Sequence, residues 1–147
     1  MKEIQSAADA IGVEHLLVDV SSIDDLPGAF EKIAGARADA LFVSADAFLI
    51  INRETIVELA ARYKIPTVYP IRAFVAAGGI VSYGTNYPEA YRQVGDFIGR
   101  VLNGEKPENL PVQQVTKLEL VINMKAAKTL GLDVPPALLA RADEVIE

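Results

Sequence analysis

The chain has 147 residues, half of them apolar, with five tyrosines and five phenylalanines, so it is sized to bury a core rather than stay disordered. Twenty acidic against 14 basic residues give a net charge of −6, which argues against nucleic acid or an anionic membrane as a partner. The absence of cysteine excludes disulfides, thiolate metal sites and a cysteine nucleophile.

No run approaches the roughly 18–20 apolar residues of a membrane span, and the first residues carry no basic-then-apolar targeting segment. Residues 2–11 place Ile4, Ala7, Ala8 and Ile11 at helical spacing, with Gly12 as the stop. Residues 15–20, opened by the single histidine His15, read as a short apolar strand. Ser22 is expected to cap a helix lined by Leu26, Phe30 and Ile33, with Asp24 and Asp25 in its first turn. A second strand follows over 38–43. Asn52 is then placed to cap a helix over 53–64, with Ile56, Leu59, Ala60 and Tyr63 inward. Pro66 opens a third strand, 67–69, where no ladder donor is needed.

One helical turn over 73–77 and the Gly78-Gly79 turn lead to a fourth strand, 80–83. The stretch 88–102, from Pro88 to Leu102, is a strongly amphipathic helix with Tyr91, Val94, Gly95, Ile98, Val101 and Leu102 on one stripe. Asn103-Gly104 ends it, and a polar crossing runs over 105–111. Residues 112–115 are expected to be extended, and 118–122 a further strand. Asn123 should cap a short helix ending at Gly131, and Pro135-Pro136 a last helix running to about Val145.

The alternation predicts α/β architecture: a three-layer parallel sheet with helices on both faces and right-handed crossovers. Its opening is odd, because the first helix has no strand to cross over from. The expectation is that a strand precedes Met1 and that the chain is the back part of something larger.

In such sheets ligands lie outside the carboxyl ends of the strands. Three apolar runs stop at Ser44-Ala45-Asp46, at Tyr69-Pro70-Ile71-Arg72 and at Ser82-Tyr83-Gly84, so all three stops are expected to crowd into one crevice. Asp46 can accept from a ligand N–H or O–H there, or cap the turn that follows. Arg72 offers a planar fork for a carboxylate, or pairs within the protein. Phe48, Tyr69, Phe74 and Tyr83 can wall an apolar ligand body or belong to the core, and Ser44 and Ser82 can supply hydroxyls. His15 begins a strand far from these stops and has no triad or metal partners. Gly78-Gly79 and Asn103-Gly104-Glu105-Lys106 lack the glycine spacing of a phosphate or dinucleotide loop. No catalytic set can be assembled, and no metal or cofactor is expected.

Several stretches match a known family. Ala60-Ala61-Arg62-Tyr63-Lys64-Ile65-Pro66, Phe74-Val75-Ala76-Ala77-Gly78-Gly79 and Ser82-Tyr83-Gly84 resemble the ABC-transporter substrate-binding proteins of the tryptophan/tyrosine type. So do Leu102-Asn103-Gly104-Glu105-Lys106-Pro107, Leu118-Glu119-Leu120-Val121-Ile122-Asn123 and Leu138-Leu139-Ala140-Arg141-Ala142-Asp143-Glu144. The resemblance implies a type I periplasmic-binding fold, with two lobes closing on a small solute outside the cytoplasm and an ABC permease as partner. This chain then corresponds to the C-terminal half: residues 1–84 a lobe lacking its first strand, and 85–147 the return helix, crossing segment and terminal elements. Members that take aromatic amino acids tend to place acidic residues after both the second and third strands. Asp46 matches the first, but Ile71 and Arg72 stand at the second, so an amino-acid specificity does not carry over. The helix over 88–102 should pack on the other lobe, and alone it is expected to drive self-association. Two other readings stay open: the effector domain of a transcription regulator, and a small flavodoxin-like enzyme using Asp46.

Overall fold

The structure, a computed structural model, describes residues 2–112 and 117–147, and the chain divides into two compact units, Met1–Ala38 and Asp39–Glu147. The first unit holds α1 (Lys2–Ala10) and α2 (Asp25–Gly35). Leu26, Phe30 and Ile33 of α2 are buried as the helical spacing predicts. The cap differs from expectation, since Asp24 stands at the N-cap without a side-chain bond. The Asp25 carboxylate instead accepts from the backbone N–H groups of Ser21 and Ser22, which holds its carboxyl below the usual carboxylate range.

Residues 15–20 form no strand. They sit in a run without helix or ladder, with Leu16 and Leu17 about half exposed. A strand exists only through its hydrogen-bonded neighbour, and among the described residues none pairs with this one.

The second unit is built on a five-stranded sheet in the order β1-β2-β3-β4-β5. Its strands are β1 (Leu41–Phe42), β2 (Thr67–Tyr69), β3 (Val81–Thr85), β4 (Leu118–Asn123) and β5 (Glu144–Ile146). The sheet is mostly parallel rather than wholly so: β3 and β4 run antiparallel from Thr85↔Leu118 to Val81↔Ile122. A chain that leaves the sheet at Thr85 and returns at Leu118 must re-enter in the opposite sense if it returns at the same end.

Between β1 and β2 lie two helices, α3 (Ala47–Ile51) and α4 (Arg53–Arg62), where one was expected. Asn52 marks the break, its side-chain amide donating to the Phe48 carbonyl, which ends α3 rather than capping α4. The short α5 (Arg72–Ala76) crosses from β2 to β3 and packs on β2, β3 and β4. Right-handed crossovers in one direction place α4 and α5 on the same face, and they bury Ile56, Leu59, Phe74 and Val75 there. On the opposite face Tyr83, Leu118 and Val145 remain exposed.

Next come α6 (Tyr87–Leu102), α7 (Met124–Thr129) and α8 (Pro136–Leu139). Asn123 caps α7 by accepting from the Ala126 N–H at 2.9 Å, as expected, and Gly131 leaves it at φ +70°. The last helix stops at Leu139 rather than near Val145. Asp143 exchanges bonds with Leu120, its N–H donating to the carbonyl and its carboxylate accepting from the N–H, and this draws residues 144–146 into the sheet as β5. The extended run expected over 112–115 lies outside the described residues beyond Val112.

Two glycines fix how β2 and β3 meet. A Cβ on Gly84 would lie 1.9 Å from the Pro70 carbonyl oxygen, and one on Gly79 would lie 2.5 Å from the Tyr69 ring. The first contact is with backbone and has no flexible neighbour to yield. Gly84→Ala should therefore destabilise the fold by about 2 kcal/mol or more. Gly95→Ala in α6, where nothing lies within 4 Å, should be neutral or stabilising by up to about 1 kcal/mol. Urea unfolding midpoints of the two variants read this contrast, and equal midpoints would contradict it.

Candidate functional site

The parallel register Leu41↔Thr67, Phe42↔Val68 and Tyr69↔Ser82 brings the carboxyl ends of β1, β2 and β3 to one edge of the sheet. Ser44 and Asp46 follow β1 there, both exposed. Asp46 is the N-cap of α3: its Oδ1 accepts from the N–H of Phe48 at 2.8 Å and of Leu49 at 3.4 Å. That cap fixes the start of α3 just past β1, where Phe48 is half-buried. Only Oδ1 takes part in these bonds, so capping leaves the second carboxylate oxygen available to a donor.

Tyr69 and Phe74 are core side chains. They are 1% and 0% exposed and stack on each other, ring centroids 4.8 Å apart and planes 15° from parallel. Burial pushes the Tyr69 phenol up to about 12, partly offset by its bond with Thr67, so it stays neutral at any ordinary pH. Ser82 is fully buried in the middle of the sheet, and its hydroxyl has no hydrogen-bond partner. Tyr83 points to the opposite face from Ser82, as strand alternation requires, and is 56% exposed.

Arg72 reaches across the sheet to Glu144 at the start of β5. Its Nε donates to Oε2 and its Nη2 to Oε1, each at 2.6 Å. The guanidinium hydrogen bonds, with its charge, hold the Glu144 carboxyl below the usual carboxylate range. Glu119 adds a second negative field at Arg72 and accepts from the Asn86 side-chain amide at 2.6 Å. Asn86 in turn caps α6 by accepting from the Glu89 N–H. Sequence reasoning missed Glu144, Glu119 and Asn86. Only Asn86 carried a signal, standing three residues before Glu89 and two before Pro88.

Ser44, Asp46, Phe48 and Arg72 therefore follow the strand ends, while Tyr69, Phe74 and Ser82 lie beneath them in the core. Asp46 is exposed, whereas Tyr69 and Ser82 are buried beneath it. A groove of about 500 Å³ lies at the other end of the sheet, lined by Val57, Ala60, Gly79, Ile80 and Leu130 among others. Another of about 620 Å³ lies between α7 and the C-terminus. His15 lies 4.0 Å from Asp9 within the first unit. Among the described residues no group of three metal-ligating side chains occurs, and no helix is long and apolar enough to cross a membrane.

Solved structures share this arrangement. A conserved domain protein from Vibrio cholerae O1 biovar El Tor superposes with a TM-score of 0.86 at 28% identity, over 98% of this chain and 48% of its own. An ABC domain from Streptococcus pneumoniae in complex with L-Trp superposes at 0.87 and 27% identity, over 99% of this chain and 49% of its own. The ligand-free, open CD0873, a substrate binding protein with adhesive properties from Clostridium difficile, shares the fold at a TM-score of 0.70 and 20% identity, over 99% of this chain and 48% of its own. The chain thus spans about half the length of each. No curated protein sequence matches it. Residues 1–146 match the ABC transporter substrate binding protein family, and the chain belongs to that family. It is a family of binding proteins rather than of enzymes, and its members generally work outside the cytoplasm.

The Arg72–Glu144 pair makes a prediction about acid. Glu144 titrates lower in the folded than in the unfolded chain, so its stabilisation is complete above the ordinary carboxylate pKa of 4.5 and disappears as pH falls through the depressed folded value. The pair is solvent-exposed, so its contribution at pH 7 should stay under about 1 kcal/mol. The gap in urea midpoint between the wild type and Arg72→Gln should shrink as pH falls below about 4.5. A gap that stayed constant down to pH 3 would contradict this assignment.

Proposed function

We propose that this chain supplies one jaw of an extracytoplasmic solute clamp serving an ABC importer. The observation that carries this is the common edge where β1, β2 and β3 end, with Ser44, Asp46, Phe48 and Tyr83 beside it. Residues 1–84 belong to this lobe. Residues 85–147 leave toward the second lobe along α6 and return as β4. A small solute bridges the lobes, favours the closed form, and the closed form is what the permease recognises. Moving such a protein from mostly open to mostly closed takes about 5 kcal/mol of differential affinity, which one jaw alone does not supply. The L-Trp complex of the pneumococcal neighbour supports a small solute at this place, while Arg72 in the position after β2 weighs against copying that ligand. Family membership favours solute capture over the regulator and enzyme readings, and nothing in the site calls for catalysis.

The bare stripe of α6 supports the second jaw. Tyr91 is 71% exposed, Ile98 55% and Leu102 81%, although their spacing is that of a core-facing helix. Without the other lobe, this stripe drives self-association of the chain. Sedimentation should find the wild type associated and Ile98→Glu monomeric at the same concentration. A monomeric wild type would contradict the reading of α6 as a lobe-facing helix.

A further inference from the structure

We infer that Glu144 is a specificity-determining residue that occupies the Arg72 fork, so that this lobe admits neutral or cationic solute groups and turns anionic ones away. The inference rests on reading the strand-end edge as the solute site. A guanidinium beside such an edge would ordinarily invite a carboxylate, sulfate or phosphate, because its parallel donors match a pair of anionic oxygens. Here the matching pair is already present, with both Glu144 oxygens seated at 2.6 Å on Nε and Nη2. Glu119 adds a weaker negative field at the same cation.

The counter-ion is held in place by the backbone around it. Asp143, immediately before Glu144, is fastened to Leu120 by two bonds of 2.8 and 2.9 Å. Glu144 itself stands in register with Val121, which stands in register with Ser82. Arg72 is set by the opening of α5, whose next residues Phe74 and Val75 are locked into the core. Both partners are thus pre-positioned, and an incoming anion must displace a carboxylate that has lost little freedom in binding. The side chains remain 47% and 39% exposed, so solvent and small ions reach the pair. Exclusion is therefore by occupancy, not by burial.

The test follows the Arg72 Nε–Hε resonance of the 147-residue chain by NMR at pH 7 during titration with sodium sulfate, against sodium chloride of equal ionic strength. The wild type should show only the chloride-like drift. Glu144→Gln and Glu144→Ala should respond to sulfate about threefold more steeply, and Glu144→Asp, which keeps the charge, should restore most of the exclusion. A wild type that responds as steeply as Glu144→Gln would overturn the inference, as would two neutral variants that stay indifferent to sulfate. Either failure is distinct from failure of the strand-end site, which is read by where solutes perturb the backbone amides.

Discussion

The close approach of Gly84 to the Pro70 carbonyl is the contact on which the rest of the second unit depends. With no side chain at Gly84, the end of β3 lies against the residue that follows β2, and the two strands finish side by side. Any larger residue would push β3 away from Pro70, and with it the antiparallel ladder to β4, in which Gly84 itself stands opposite Glu119. A second bare position, Gly79, lets the Tyr69 ring lie over the turn before β3, where Phe74 stacks on it. The two glycines thus set the spacing of β2 against β3, and the stacked rings fix where α5 starts and where Arg72 emerges.

From that frame the polar groups fall into an ordered set. Asp46 aims α3, Asn86 aims α6, and Glu144 holds Arg72. Asp46, Arg72, Glu119 and Glu144 each have a partner or a capping duty before any solute arrives. A binding surface organised this way loses little entropy on closing, but it restricts which solute groups it can satisfy. An anionic solute group buried here would find the Arg72 guanidinium already taken, whereas Asp46 keeps one carboxylate oxygen for a donor.

Much of the fold was legible because it is carried by local patterns. The helices α1, α2, α4, α6 and α7 follow from apolar spacing and from glycine or asparagine stops, and β2 to β4 from short apolar runs between turn residues. What escaped was non-local. The three residues of β5 are too few to show periodicity and become a strand only through Leu120, and the partner of Arg72 lies 72 residues away. The segment over 15–20 has the composition of a strand but no neighbour among the described residues. At the candidate site, position after a strand was read correctly for Ser44, Asp46 and Arg72, whereas Tyr69 and Phe74 turned inward. Their direction depends on the room left by Gly79, which no single stretch of sequence displays. Ser82 and Tyr83 could not both face one crevice, and strand alternation alone could have said so.

The central claim is that a solute meets this protein where β1, β2 and β3 end. Backbone amide NMR during titration with millimolar L-tryptophan, and separately with a neutral sugar such as glucose, tests it on the chain as it stands. The account predicts weak shifts, short of saturation, confined to residues 44–48, 70–72 and 83–85 for at least one of these probes. Shifts centred instead on the groove of residues 124–134, or tight saturable binding by this single lobe, would contradict it.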